Sequence, residues 1–261
     1  MIKINYDKCV GCLKCTRVCI WTIIEEQDGK PVVLEEKAKG CAKCMHCGII
    51  CPEGAIEYDG NPMMLCEDKP IVSDTFSEDV EAFLQTRRSY RNFREEEVEE
   101  EIIRKALELA AWAPSAKNQH PTKYYVVQGR EKINAMMNHV VDWLKETGAC
   151  PEVLSELERG NNLVVAKAPT LILAYCRNNA INPAVDTALA LDYADLYLQS
   201  RGVGTCWAGY LTRFLNKIPA LQEMFPLPEN NSFYGVLLAG WPTEDYLYIP
   251  QRLKGADIKF I

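Results

Sequence analysis

Residues 87–91 read Arg87-Arg88-Ser89-Tyr90-Arg91. Three cations and a serine within five residues are the donors that a phosphate or another anion needs. Taken alone, a basic surface patch is the plainer reading. The stretch is not alone. Ala113-Pro114-Ser115-Ala116-Lys117-Asn118-Gln119-His120-Pro121 follows it, then Gly202-Val203-Gly204-Thr205-Cys206-Trp207-Ala208-Gly209-Tyr210, then Ala239-Gly240-Trp241-Pro242 and Pro250-Gln251-Arg252. Gly202-x-Gly204 is not a dinucleotide fingerprint, because Trp207 stands where a third glycine belongs and the preceding segment reads as helix.

Working outward from 87–91, Ser77 before Glu78, Asp79, Val80, Ala82, Phe83 and Leu84 predicts a capped helix start. Val98 to Trp112 carries Ile102, Ile103, Ala106, Leu109 and Ala110 at helical spacing and stops before Pro114. Its acidic lead, Glu95 to Glu101, reads as a solvated first turn favoured by the helix dipole. Tyr124–Val127, Thr170–Tyr175 and Tyr234–Ala239 are strand candidates. Asp186 to Arg201 is apolar nearly all round, which predicts a helix buried in the domain or in a dimer interface. Strands separated by dominant helices predict an α+β or α/β class.

Toward the N-terminus the composition changes. Twelve cysteines are present, eight of them in residues 9–51, as Cys9-x2-Cys12-x2-Cys15-x3-Cys19 and Cys41-x2-Cys44-x2-Cys47-x3-Cys51-Pro52. Thiolates are the soft ligands iron–sulfur clusters require, and both runs match the spacing of bacterial ferredoxins. In that arrangement three cysteines of one run share a 4Fe–4S cluster with the fourth of the other. Cys9, Cys12, Cys15 and Cys51 then hold one cluster, and Cys41, Cys44, Cys47 and Cys19 hold the second. Zinc is the rival, since CxxC pairs bind it too, but it does not explain the doubled x2-x2-x3 spacing. Ile20 stands where a proline often follows the first run. Cys66, Cys150, Cys176 and Cys206 lack ligand spacing, and His46 and His120 read as lone histidines. Trp21–Gln27 and Pro31–Glu35 read as strands joined at Asp28-Gly29. This part is too small for a sizeable apolar core, so bound metal must supply much of its stability.

The 261 residues are 48% hydrophobic and 25% charged, with a formal charge of −7. That balance predicts neither nucleic acid nor an anionic membrane as partner. No run of 18 or more apolar residues predicts a membrane span, and Met1 to Lys8 lacks a signal-peptide core. With reduced thiols, the expectation is a cytoplasmic protein. Asn61-Pro62, Lys69-Pro70 and Ser73-Asp74-Thr75 break regular structure. They divide the chain into a domain at 1–62, a linker at 63–77 and a second domain at 78–261.

The ordered set beginning at Arg87 resembles the FMN-dependent nitroreductase family over about residues 78–255. With the cysteine runs in front, the whole chain looks like a ferredoxin–nitroreductase fusion. The resemblance implies an α+β fold, a mixed sheet flanked by helices, a small N-terminal ferredoxin-like domain, and a homodimer with FMN at the interface. Arg87, Arg88 and Ser89 match the segment on the FMN phosphate and ribityl chain. Arg91 matches the cation at the pyrimidine edge, where it would raise the flavin potential. Pro114, Ser115, Ala116 and Asn118 match a loop reaching FMN from the other subunit. Ala208, Gly209 and Tyr210 match backbone near the reactive edge of the ring, and Arg252 a C-terminal cation on the phosphate. His120-Pro121-Thr122 and Gly209-Tyr210-Leu211 depart from the family pattern. Tyr210 therefore projects over the flavin or packs as a core tyrosine. The implied activity is an oxidoreductase in which electrons pass singly through two clusters to FMN. FMN then reduces an electron-poor small molecule: a nitroaromatic, a quinone or an activated alkene. No side chain is assigned as catalytic acid or base, because the chemistry belongs to the cofactor. Two alternatives stay open: NAD(P)H reduces FMN and electrons leave through the clusters to a partner protein, or the chain is a non-catalytic relay or redox sensor.

Overall fold

The structure, a computed structural model, describes residues 2–59, 61–62 and 70–261. Cys66, Lys69 and the first part of the expected linker, residues 63–69, lie outside the described residues. Contacts divide the chain into two compact units: residues 1–73 with Lys117–Gln119, and residues 74–116 with 120–261.

The first unit contains β1 (Ile2–Ile4), α1 (Lys14–Val18), β2 (Ile24–Gln27), β3 (Lys30–Val33), α2 (Glu35–Ala38), α3 (His46–Ile49), β4 (Ile56–Tyr58) and β5 (Asn61–Pro62). The expected hairpin is β2–β3, paired antiparallel from Ile24↔Val33 to Gln27↔Lys30. Asp28 and Gly29 both take positive φ (50° and 76°), as a tight primed turn requires. Its strands are shorter than expected, because Trp21 to Ile23 and Leu34 to Glu35 leave the ladder.

The unit is a structural repeat that extends well past the cysteines. Gly11 and Leu13 have φ 69° and 58°, and their counterparts Lys43 and Met45 have 54° and 62°. Each loop runs into a short helix, α1 or α3. Thr22 N–H donates to Cys19 O and Gly54 N–H to Cys51 O, at corresponding places. Two hairpins follow, β2–β3 and β4–β5. The apolar core is small, built on Ile2, Ile23, Ile24, Ala38 and Ile56 with Cys15.

The second unit contains α4 (Phe76–Thr86), α5 (Glu100–Ala110), β6 (Lys123–Gln128), α6 (Arg130–Thr147), α7 (Pro151–Glu158), β7 (Thr170–Arg177), α8 (Pro183–Ser200), β8 (Gly204–Trp207), α9 (Gly209–Leu215), α10 (Pro219–Met224) and β9 (Asn231–Gly240). Helix α4 starts before Ser77, with Thr75 at its N-cap, so the expected serine cap is corrected. The sheet order is β6-β7-β9-β8. All three ladders are antiparallel. The expected mixed sheet is corrected on this point: parallel pairing among the described residues is the single bridge Ser89↔Thr205.

Two cores explain why β7 and β9 are apolar without alternation. Leu171 and Leu173 with Val236 and Leu238 face one core, while Ile172 and Ala174 with Leu237 and Ala239 face the other. Successive side chains of a strand point to opposite faces, so a sheet covered on both sides needs apolar residues at every position. Helices α6, α9 and α10 supply Met136, Leu144, Leu211, Leu215 and Leu221 to the first core. Helices α5 and α8 supply Ile103, Ala106, Leu191, Ala194 and Leu198 to the second. No helix among the described residues is long and apolar enough to cross a membrane.

Candidate functional site

In the first unit the cysteines gather across the two runs. One cavity is lined by Cys9, Cys12, Cys15 and Cys51. Another is lined by Cys19, Cys41, Cys44 and Cys47. Burial pushes the Cys15 thiol up, reinforced by Cys51, Cys9 and Cys12. Burial pushes Cys47 up to about 12, reinforced by Cys19, Cys44 and Cys41. Four thiols in a partly dry pocket resist ionising together unless positive charge joins them. Ile23 N–H donates to Cys19 Sγ and Ala55 N–H to Cys51 Sγ, both at 3.3 Å. Among the described residues, no three His, Cys, Asp or Glu side chains form a group that would hold a single metal ion.

In the second unit the 87–91 stretch is fastened to α8 and β8. Tyr90 N–H donates to Thr205 O at 2.8 Å, and Arg88 N–H to Gln199 Oε1 at 3.1 Å. Gln199 Nε2 donates to Asp195 Oδ1 (3.0 Å) and Thr205 Oγ1 (2.7 Å), and the Thr205 hydroxyl donates to Asp195 Oδ1. The other carboxylate oxygen of Asp195 pairs with Arg87 Nη1 at 3.5 Å. Asp195, 7% exposed, is a buried carboxylate with its partners supplied. Arg87 and Ser89 line an open cavity with Trp207, whose other wall is α8. Arg91 Nη1 donates to Ser89 O at 3.3 Å. Burial pushes the Cys206 thiol up, while Arg91 and a hydrogen bond with Ser89 draw it down. Cys206 is thus packed behind this stretch, as a thiol without ligand spacing should be.

The other expected flavin residues are distributed. Arg88 turns its guanidinium onto the Gln85 and Arg87 carbonyls, both at 2.7 Å. Pro114 and Ser115 line a different cavity, with His120, Tyr124 and Asp186. Ala116 N–H donates to Asp186 Oδ1 at 2.9 Å, and His120 N–H to Ser115 Oγ at 2.9 Å. The second carboxylate oxygen of Asp186 is buried without a hydrogen bond among the described residues. Asn118 groups with the first unit. Ala208 N–H donates to Val236 O at 2.9 Å, where β8 passes into α9 at Gly209. Tyr210 stacks on Phe214 at 6.2 Å under the Arg213 guanidinium and packs against the core. Arg252 lies on the exposed segment after β9.

Asp186, Asp192, Asp195, Gln199 and Thr205 were not singled out from the sequence. The available signal was polar residues recurring at helical spacing on a helix otherwise apolar all round.

Residues 84–241 match the nitroreductase family. A protein of Methanothermobacter thermautotrophicus, named provisionally as an NADH dehydrogenase/NAD(P)H nitroreductase, is 28% identical over 183 residues, covering 67% of this chain and 85% of that protein. The 5,6-dimethylbenzimidazole synthase of Rhodospirillum rubrum is 23% identical over 195 residues, covering 68% and 88%. A crystal structure of a nitroreductase with bound FMN from Bacteroides fragilis shares the fold, with a TM-score of 0.60 at 22% identity over 70% of this chain and 98% of that one. The family match begins at residue 84, after the cysteine runs. The chain belongs to the nitroreductase family.

Proposed function

We propose that this nitroreductase-family chain is an iron–sulfur flavoprotein, with FMN in the second unit and two 4Fe–4S clusters in the first. The observation that carries the cluster reading is the crossed grouping: each cavity draws three thiols from one cysteine run and the fourth from the other. A further observation supports it. Gly11 and Leu13, and Lys43 and Met45, take positive φ at matching places in the two cysteine loops, the kind of backbone alternation that forms anion-binding concavities.

When bound, the clusters carry electrons singly and FMN pairs two of them for delivery to an acceptor. The protein's part is to hold and tune. Arg87 and Ser89 face the cavity as donors for a phosphate, with Arg87 aimed by Asp195. Arg91, pinned to Ser89 O, supplies a cation beside that stretch. The first unit takes electrons from a donor, and the second delivers them to an electron-poor small molecule such as a nitroaromatic, quinone or activated alkene. NAD(P)H as the donor is the second reading, favoured by the name of the Methanothermobacter relative.

The functional form is a cytoplasmic homodimer. Within one chain, Arg87 and Ser89 line one cavity while Pro114 and Ser115 line another, as expected if the latter serve a partner's flavin. Phe76, Val80 and Leu84 on α4, with Tyr246, Leu247, Tyr248 and Leu253 after β9, leave apolar surface exposed, which supports an interface.

Purification without oxygen, followed by chemical analysis, tests the cofactors. The expectation is about eight iron, about eight sulfide and about one FMN per chain. Zinc in place of iron overturns the cluster reading, and full iron without flavin overturns the oxidoreductase reading.

A further inference from the structure

The α8 wall of the Arg87–Trp207 cavity is a stripe: Ala184, Val185, Ala188 and Leu189, ending at Asp192. These positions share one helix face. Val185 is 57% exposed and Trp207, on the other side, 46% exposed, so the cavity offers a ring apolar surface on both sides. The charges are unequal. Arg87 is held by Asp195, and Arg91 is drawn to Ser89 O. Asp192 has no ion pair among the described residues. Burial and then Asp195 push its carboxyl up, and Arg87 only partly opposes them. If a flavin phosphate takes the arginines, Asp195, the cavity's other carboxylate, keeps its hydrogen bonds from Gln199 and Thr205, whereas Asp192 is left as the uncompensated charge of the acceptor's wall.

We infer that Asp192 makes this site selective for neutral and cationic electron-poor aromatics and against anionic ones. The inference rests on reading this cavity as the flavin and acceptor site. An aromatic carboxylate would lie on the apolar stripe with its charge facing a carboxylate, whereas an ammonium substituent would find a partner there. The reaction being selected is the reduction of a nitro group by two electrons and two protons to a nitroso group and water. The electrons come from an added low-potential donor such as reduced viologen.

The test compares 4-nitrobenzyltrimethylammonium with 4-nitrobenzoate on the FMN-loaded protein. Dissociation constants of the unreactive pair benzyltrimethylammonium and benzoate, read by calorimetry, give an answer independent of turnover. The expected kcat/KM and affinity ratios favour the cation by about tenfold, the scale of one uncompensated charge in a half-wet site. Both ratios should fall toward one in Asp192→Asn and narrow as salt is raised. Ratios near one in the unaltered protein, or ratios unmoved by Asp192→Asn, overturn the inference. Protein that binds no FMN overturns the flavin reading and this inference with it.

Discussion

At the scale of single residues, the second unit shows how a sequence motif acquires its function from neighbours it does not name. Arg87 is one of three clustered arginines, but among the described residues it is the one whose guanidinium is paired with a carboxylate, Asp195, beside the cavity. Arg88 instead caps the end of α4 through two carbonyls. Arg87→Ala and Arg91→Ala should each weaken FMN binding while leaving iron content intact, read by flavin fluorescence and iron analysis. Full flavin occupancy in both would show that neither residue holds the cofactor. Asp192 allows a pH prediction with a definite sign. Its carboxyl is raised in the folded chain, so the folded state keeps its proton to higher pH than the unfolded state does. Its ionised form therefore costs stability above that range, and the cost vanishes on acidification. Asp192→Asn should melt slightly higher than the unaltered protein at neutral pH, with the gap closing as the carboxyl protonates. The side chain is largely solvated, so the gain is a fraction of a kcal/mol.

At the scale of elements, α8 organises the second unit. Its buried side packs on the sheet through Leu191, Ala194 and Leu198, and its polar residues fasten the 87–89 stretch. The approach to β9 is close: a Cβ on Gly235 would lie 2.6 Å from Leu191 Cδ1 and 2.7 Å from Trp207 Cη2. Gly235→Ala should therefore cost about 1–3 kcal/mol of stability by overpacking, measured by denaturant unfolding. It should also displace Trp207, which lines the cavity, and so shift its fluorescence. In the first unit the corresponding organising device is the αL pair in each cysteine loop, which Leu13, Lys43 and Met45 adopt without being glycine. Residues outside the usual backbone regions persist where their surroundings hold them. Here they sit on both cysteine loops at matching places.

At the scale of the whole molecule, the two units differ in what holds them together. The second has two apolar cores on either side of a sheet, and the first has one small core around Ile23, Ile24 and Ile56. Removing iron with a chelator should abolish hydrogen-exchange protection in residues 2–59 while β7 and β9 stay protected, because only the first unit lacks enough core to stand alone. Cys51→Ala tests the crossed grouping. It should damage the cluster of Cys9, Cys12 and Cys15 and spare the other, read by iron content and electron paramagnetic resonance. Loss of the other cluster alone would contradict the grouping. Sedimentation should give about twice the mass of one chain if the exposed apolar surface of α4 is an interface.

Local chemistry was legible in the sequence wherever one short segment carries its own signal. The Asp-Gly turn at Asp28-Gly29, the unbroken apolar runs of β7 and β9 and the helical period of α5 and α8 all read correctly as local features. Helix α6 was equally legible, with Ile133, Met136, Met137, Val140 and Leu144 on one face and Gly148 closing it in αL, but it was not read. What only the tertiary structure decided is which distant residues meet. The Asp195–Gln199–Thr205 brace behind Arg87, the antiparallel order of the sheet and the placing of Asp192 beside Asp195 and Arg87 on one cavity wall are pairings across the chain. Periodicity along a chain reports which face a residue occupies, whereas the partner opposite that face is set by packing between elements and by the desolvation of charges buried there.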